Sequence, residues 1–249
     1  MTGLPRQIAV LAAVAFNLVL NGLAGAGVLF GVQTGEVSDS IQTGVTPAGW
    51  AFSIWSVIFL GVLVFGVWQA RPGARTLRYD ALAVPFIAAN LLNGLWQIPW
   101  SLRLFGVAVV VIVGILASLA WLYVRLDRMG MSTAERWTLG VPASLFFAWL
   151  CVAAPVNVTV ALAAAGWTGG ALWPPLFVLV VAAVGVALLR QTGDVAFAAV
   201  LLWAFAAILA KNGAGAPMLI GALAAAAAAV VVTTILAIRA GASPLPVTR

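Results

Sequence analysis

Histidine is absent from the 249 residues, and cysteine occurs once, as Cys151. A disulfide within the chain is therefore excluded, and so is a thiolate or imidazole metal cluster. No Ser-His-Asp or Cys-His catalytic arrangement can be assembled. Charge is also scarce, at 7% of residues against roughly a quarter in soluble domains. The six acids, Glu36, Asp39, Asp80, Asp127, Glu135 and Asp194, all fall in loops or at the ends of apolar runs. A proton relay built on carboxylates at mid-membrane depth is not expected. An enzyme is not expected either, because general acid–base chemistry would have only amides, hydroxyls, Cys151 and two tyrosines to draw on.

What remains is apolar: 64% of residues are hydrophobic and the mean hydropathy is +1.15. A water-soluble fold of this size could not hide that surface, whereas lipid is itself an apolar solvent. The apolar runs are continuous and near twenty residues long rather than alternating, which selects helices over a barrel. The expected fold is an all-α polytopic transmembrane bundle of about eight spans. The spans are expected at roughly 7–31, 47–70, 81–101, 105–124, 138–165, 172–189, 195–210 and 216–238. Most tryptophans and intramembrane amides lie before residue 160, and the rest of the chain is dominated by Ala, Val and Leu.

Eight spans separate the basic residues sharply. With the N-terminus in the cytoplasm, Arg6, Arg71, Arg75, Arg78, Arg125, Arg128, Arg136, Arg190, Arg239 and Arg249 lie inside. Only Arg103 and Lys211 lie outside. This bias predicts cytoplasmic termini, and the expected setting is a bacterial cytoplasmic (inner) membrane. It leaves the stretch from Val32 to Thr46 as the longest outer loop. Lys211, at the outer end of span seven, reads either as a snorkelling lysine or as an anchor for a ligand carboxylate at a pocket mouth.

The polar residues inside the spans are amides. Asn17 and Asn21 are four apart, and Asn90, Asn93 and Gln97 are spaced by three and four, so each set shares one helix face. Asn157 stands in span five. An unpaired amide in lipid is costly. These stripes must therefore face other helices, as interhelical glue, or a shared polar pocket. Eleven tryptophans accompany them. Trp68, Trp121, Trp137, Trp167 and Trp173 fall near span ends, where an aromatic belt is the default. Trp96 and Trp100 flank Gln97, and Trp149 lies eight residues before Asn157. Aromatic walls with a few amides would suit a flat, mostly apolar ligand, with core packing as the alternative.

The segment Pro47-Ala-Gly-Trp50-Ala-Phe52-Ser-Ile-Trp55-Ser-Val-Ile-Phe59 resembles the second-helix signature of the tryptophan-rich sensory protein / translocator protein family, also called the peripheral-type benzodiazepine receptor family. Asn93-Gly-Leu95-Trp96-Gln-Ile-Pro99 is similar to its third-helix signature, and Pro142, Trp149 and Asn157 to its fifth. The resemblance runs from about residue 7 to 165, and implies a division into a five-helix bundle over 1–170 and three additional transmembrane helices over 171–249. The Trp50–Trp55 gap is one residue shorter than the family's pattern, and Phe59 replaces a tyrosine. The resemblance implies a five-helix bundle whose cavity takes a porphyrin, another tetrapyrrole or a sterol. By that analogy the cavity is lined by Trp50, Phe52, Trp55, Asn93, Trp96, Gln97, Trp149 and Asn157. The implied function is a membrane receptor, sensor or handling protein for a flat hydrophobic ligand. The competing function is a transporter of a small neutral or amphipathic solute. No covalently bound cofactor and no metal site are expected. The expected partners are the lipid bilayer, a hydrophobic small molecule and a second copy of the chain, with no nucleic acid.

Overall fold

A computed structural model of the chain describes residues 2–246. Arg249, one of the ten basic residues assigned to the cytoplasmic side, lies outside the described residues. The helices run α1 Gly3–Gly25, α2 Thr34–Asp39, α3 Ile54–Gln69, α4 Leu77–Ser101, α5 Phe105–Asp127, α6 Thr133–Glu135, α7 Val141–Ala164, α8 Trp173–Thr192, α9 Val195–Asn212 and α10 Pro217–Arg239. Eight helical segments are long and apolar enough to cross a bilayer, from Gly3–Gly25 to Pro217–Arg239. The protein is thus an all-helical integral membrane protein whose environment is the lipid bilayer.

Two boundaries differ from the expected ones. The first span ends at Gly25 rather than near 31, because Gly27 takes a left-handed backbone (φ +70°) that an α-helix cannot continue. The fifth reaches back to Thr133, where Ser132 and Glu135 close a capping box. A π turn over Arg136–Gly140 then carries the chain into α7.

Five long helices form a closed ring. α1 packs on α4, α4 on α5, α5 on α7, α7 on α3, and α3 back on α1. Small residues permit the tightest approaches. A Cβ at Gly94 would lie 2.9 Å from the Phe16 ring and 3.4 Å from the Asn17 Cα, so α1 and α4 nearly touch there. A Cβ at Gly61 would lie 3.1 Å from Pro142, which holds α3 to the start of α7. The remaining helices, α8, α9 and α10, pack on one another, and α9 packs along α7.

The close α1–α4 approach brings the amide stripes together as one ladder. Asn17 Nδ2 donates to Asn90 Oδ1 (2.8 Å), and Asn93 Nδ2 donates to Asn17 Oδ1 (2.9 Å). Asn21 Nδ2 donates to the same oxygen (2.7 Å), Gln97 Nε2 to Asn21 Oδ1 (2.5 Å), and Thr34 Oγ1 to Gln97 Oε1 (2.8 Å). For Asn17 and Asn90 the glue reading is the one this geometry bears out, whereas Asn21 both bonds across to Gln97 and borders a cavity. The belt reading fits Trp121, Trp137 and Trp167, whose rings are exposed on the outer surface of the bundle.

Polar contacts close the ring at its basic end. Arg6, 1% exposed, sits 3.0 Å from Asp80 and donates to the Ala74 carbonyl. Gln7 Nε2 donates to the Gln69 and Arg71 carbonyls, and the Tyr79 hydroxyl donates to Glu135.

Candidate ligand-binding site

Inside the ring, roofed by α2 and the loop after it, is a small cavity. α4 contributes Asn93, Trp96 and Trp100, and α7 contributes Trp149 and Asn157. The 3-10 turn Gly49–Ser53 and the first turn of α3 contribute Phe52 and Trp55. The aromatic rings meet edge to face. Trp55 and Trp149 have centroids 6.4 Å apart at 85°, and Phe52 and Trp149 are 6.4 Å apart at 80°. The Trp96 indole donates to Asn157 Oδ1 (3.1 Å), bridging α4 and α7, while Asn157 Nδ2 is held by the Ala153 carbonyl (3.0 Å). Among the described residues, none accepts a hydrogen bond from the Trp149 indole. The cavity volume is about 40 Å³, well short of the several hundred Å³ usual for small-molecule pockets.

A second cavity of about 260 Å³ adjoins it and shares Phe52 and Trp55 as a common wall. Its polar lining comes from Asn21, Gln33, Thr34 and Gln97, the loop end of the amide ladder. No charged residue lines either cavity among the described residues.

Six of the eight predicted site residues therefore surround one space: Phe52, Trp55, Asn93, Trp96, Trp149 and Asn157. Gln97 lines the second cavity instead. Trp50 lines neither, and its placement needs correction. In a 3-10 turn residues i and i+3 eclipse, so Trp50 and Ser53 share the exposed side of the turn while Phe52 lines the cavity. Trp50 is 47% exposed and meets Trp203 of α9 edge to face, their ring centroids 4.7 Å apart at 87°. Lys211 is not free to anchor a ligand carboxylate, because its ammonium pairs with Asp39.

Trp203 escaped the sequence reading, and so did the task of α9. The Trp203 indole donates to the Ala51 carbonyl (3.1 Å), and Ala48 N–H donates to the Ala207 carbonyl (3.0 Å). Asn212 Nδ2 donates to the Thr46 carbonyl (3.0 Å), and the Lys211–Asp39 pair follows one residue earlier. Four contacts along one face of α9 thus hold the loop and turn that roof the cavity. At the other end of α9, Asp194 is fully buried. It accepts from Ser144 Oγ (2.6 Å), Tyr123 Oη (2.9 Å) and the Phe197 amide (2.9 Å), tying α9 to α5 and α7. Spacing alone marks neither contact set, since both depend on helices far apart in sequence.

No curated protein and no solved structure is a match to this chain. The TSPO-like protein family profile matches residues 7–237, running past the five-helix ring and through most of α10. With ring, tryptophan cavity and family profile in agreement, the chain belongs to the TSPO-like protein family.

Proposed function

We propose that this protein is an integral membrane receptor or handling protein that binds a flat hydrophobic ligand, of tetrapyrrole or sterol type, in the cavity between α3, α4 and α7. The observation that carries this reading is the convergence of Trp55, Trp96 and Trp149 with Asn93 and Asn157 around one space. Flat rings gain from edge-to-face and stacked aromatic contact, and a few fixed amides supply orientation. At about 40 Å³ the cavity is too small for such a ring system, so binding requires Phe52 and Trp55 to move and join it to its neighbour. Passage of a solute across the bundle is the weaker reading, because the polar contacts around Arg6, Gln7 and Tyr79 close the basic end.

Titration of the purified protein with porphyrins and sterols, followed by tryptophan quenching, tests this directly. Trp149→Phe keeps most of the ring volume and removes the indole N–H. It is expected to weaken binding by about 1 kcal/mol, roughly fivefold, with little effect on folding. Asn157→Leu removes the acceptor for the Trp96 indole and should cost more binding. Saturable binding with no change in either variant would place the ligand elsewhere.

The basic end faces the cytoplasm of a bacterial inner membrane in this reading. In a Cys151→Ser background, Gln42→Cys, exposed on the outer loop, should react with an impermeant maleimide added from outside. Labelling from the cytoplasmic side alone would invert the topology.

A further inference from the structure

The amide ladder between α1 and α4 does not end in protein. Its loop end, Asn21, Gln97 and Thr34, opens on the 260 Å³ cavity beside the tryptophan cavity. Gln97 uses one amide N–H toward Asn21 and one oxygen lone pair toward Thr34. A primary amide has two donors and two acceptor sites, so Gln97 retains one of each. Phe52 and Trp55 are the partition between this polar space and the aromatic one.

Charge is missing from both spaces. The two cations at this end of the molecule are engaged elsewhere, Arg103 donating to Ser40 Oγ and Lys211 pairing with Asp39. Glu36 closes the cap of α2 by accepting from the Gln33 amide. A carboxylate, sulfate or ammonium placed here would find no counter-charge in the lining, whereas the spare donor and acceptor of Gln97 match a hydroxyl or carbonyl.

Resting on the ligand-binding reading above, we propose that the second cavity is a head-group subsite that takes an uncharged hydrogen-bonding group. The ligand is then a neutral amphipath: a flat apolar body against Trp55, Trp96 and Trp149, and a hydroxyl, ketone or ester group at Gln97 and Thr34. Ionised forms of the same ring system are rejected by the absence of charge.

Ring-matched probes isolate the head group. Protoporphyrin dimethyl ester and protoporphyrin diacid share one macrocycle, and cholesterol and cholesterol sulfate share one sterol. With the full chain in nanodiscs of neutral lipid, tryptophan quenching should give each neutral probe about tenfold or more tighter binding than its anionic partner. Thr34→Lys puts a cation at the subsite edge and should shift the anionic-to-neutral affinity ratio at least about tenfold toward the anion. Gln97→Lys places the same charge deeper and supports the result if Thr34→Lys alone proves poorly folded. Anionic probes binding as tightly as neutral ones in the natural protein would overturn the subsite, as would a ratio unmoved by both lysines in folded protein. If no probe of either kind binds, it is the ligand-binding reading itself that fails, a different outcome from loss of selectivity.

Discussion

Asp194→Ala is expected to destabilise the folded protein by about 3 kcal/mol. The side chain caps α9 through the Phe197 amide and receives the Tyr123 and Ser144 hydroxyls. Losing an N-cap costs about 1 kcal/mol, and each buried hydroxyl left without an acceptor adds about 1 kcal/mol or more. Asp127→Ala is the control: the residue is only half-buried in the same region, and its replacement should stay within about 0.5 kcal/mol. Unfolding in mixed detergent micelles measures both. An Asp194→Ala variant as stable as the control would mean that the Asp194 hydrogen bonds do not help to hold α9. Burial pushes the Asp194 carboxyl above the usual carboxylate range, while hydrogen bonds from Ser144, Phe197 and Tyr123 pull it partly back. The folded chain therefore holds this proton more tightly than the unfolded chain. Its contribution is largest below the unfolded carboxyl range, near 4, and declines as pH rises through the raised folded value. Asp194→Asn should flatten that decline.

The second large effect is expected at the basic end. Arg6→Met should cost about 3–5 kcal/mol, because it leaves the Asp80 carboxylate facing a closed helix junction without its counter-charge. Arg6 is buried, lies 3.0 Å from Asp80 and also satisfies the Ala74 carbonyl. Two charges are expensive to bury, so removing both should cost much less than removing one. Arg6→Met combined with Asp80→Leu is expected to recover most of the lost stability in the same unfolding measurement. If the double variant is no more stable than the single one, the pair is not what closes this end.

Much of the architecture was legible in the sequence because the bilayer imposes it. Apolar runs near twenty residues, with acids only between them, leave few choices besides helices. The stripes Asn17/Asn21 and Asn90/Asn93/Gln97 announced two helix faces that had to meet a polar partner. The order Trp55, Asn93, Trp96, Trp149, Asn157 pointed to residues that the fold gathers around one cavity. Trp50 misled because a local motif does not reveal a 3-10 turn, and that turn puts Trp50 and Phe52 on opposite sides.

Hydropathy and amide periodicity along single helices thus determined the spans and the polar faces, because each is a property of a segment and its solvent. Which amides pair with each other and which border a cavity was decided by the ring closure of α1, α3, α4, α5 and α7. The attachment of α9 to the cavity roof through Trp203, Lys211 and Asn212 was likewise a tertiary result. So was the burial of Asp194 beneath α5 and α7. These contacts join residues 50 to 172 positions apart, and lipid exerts no preference among such pairings. Only the close approach of particular small and polar surfaces chooses between them.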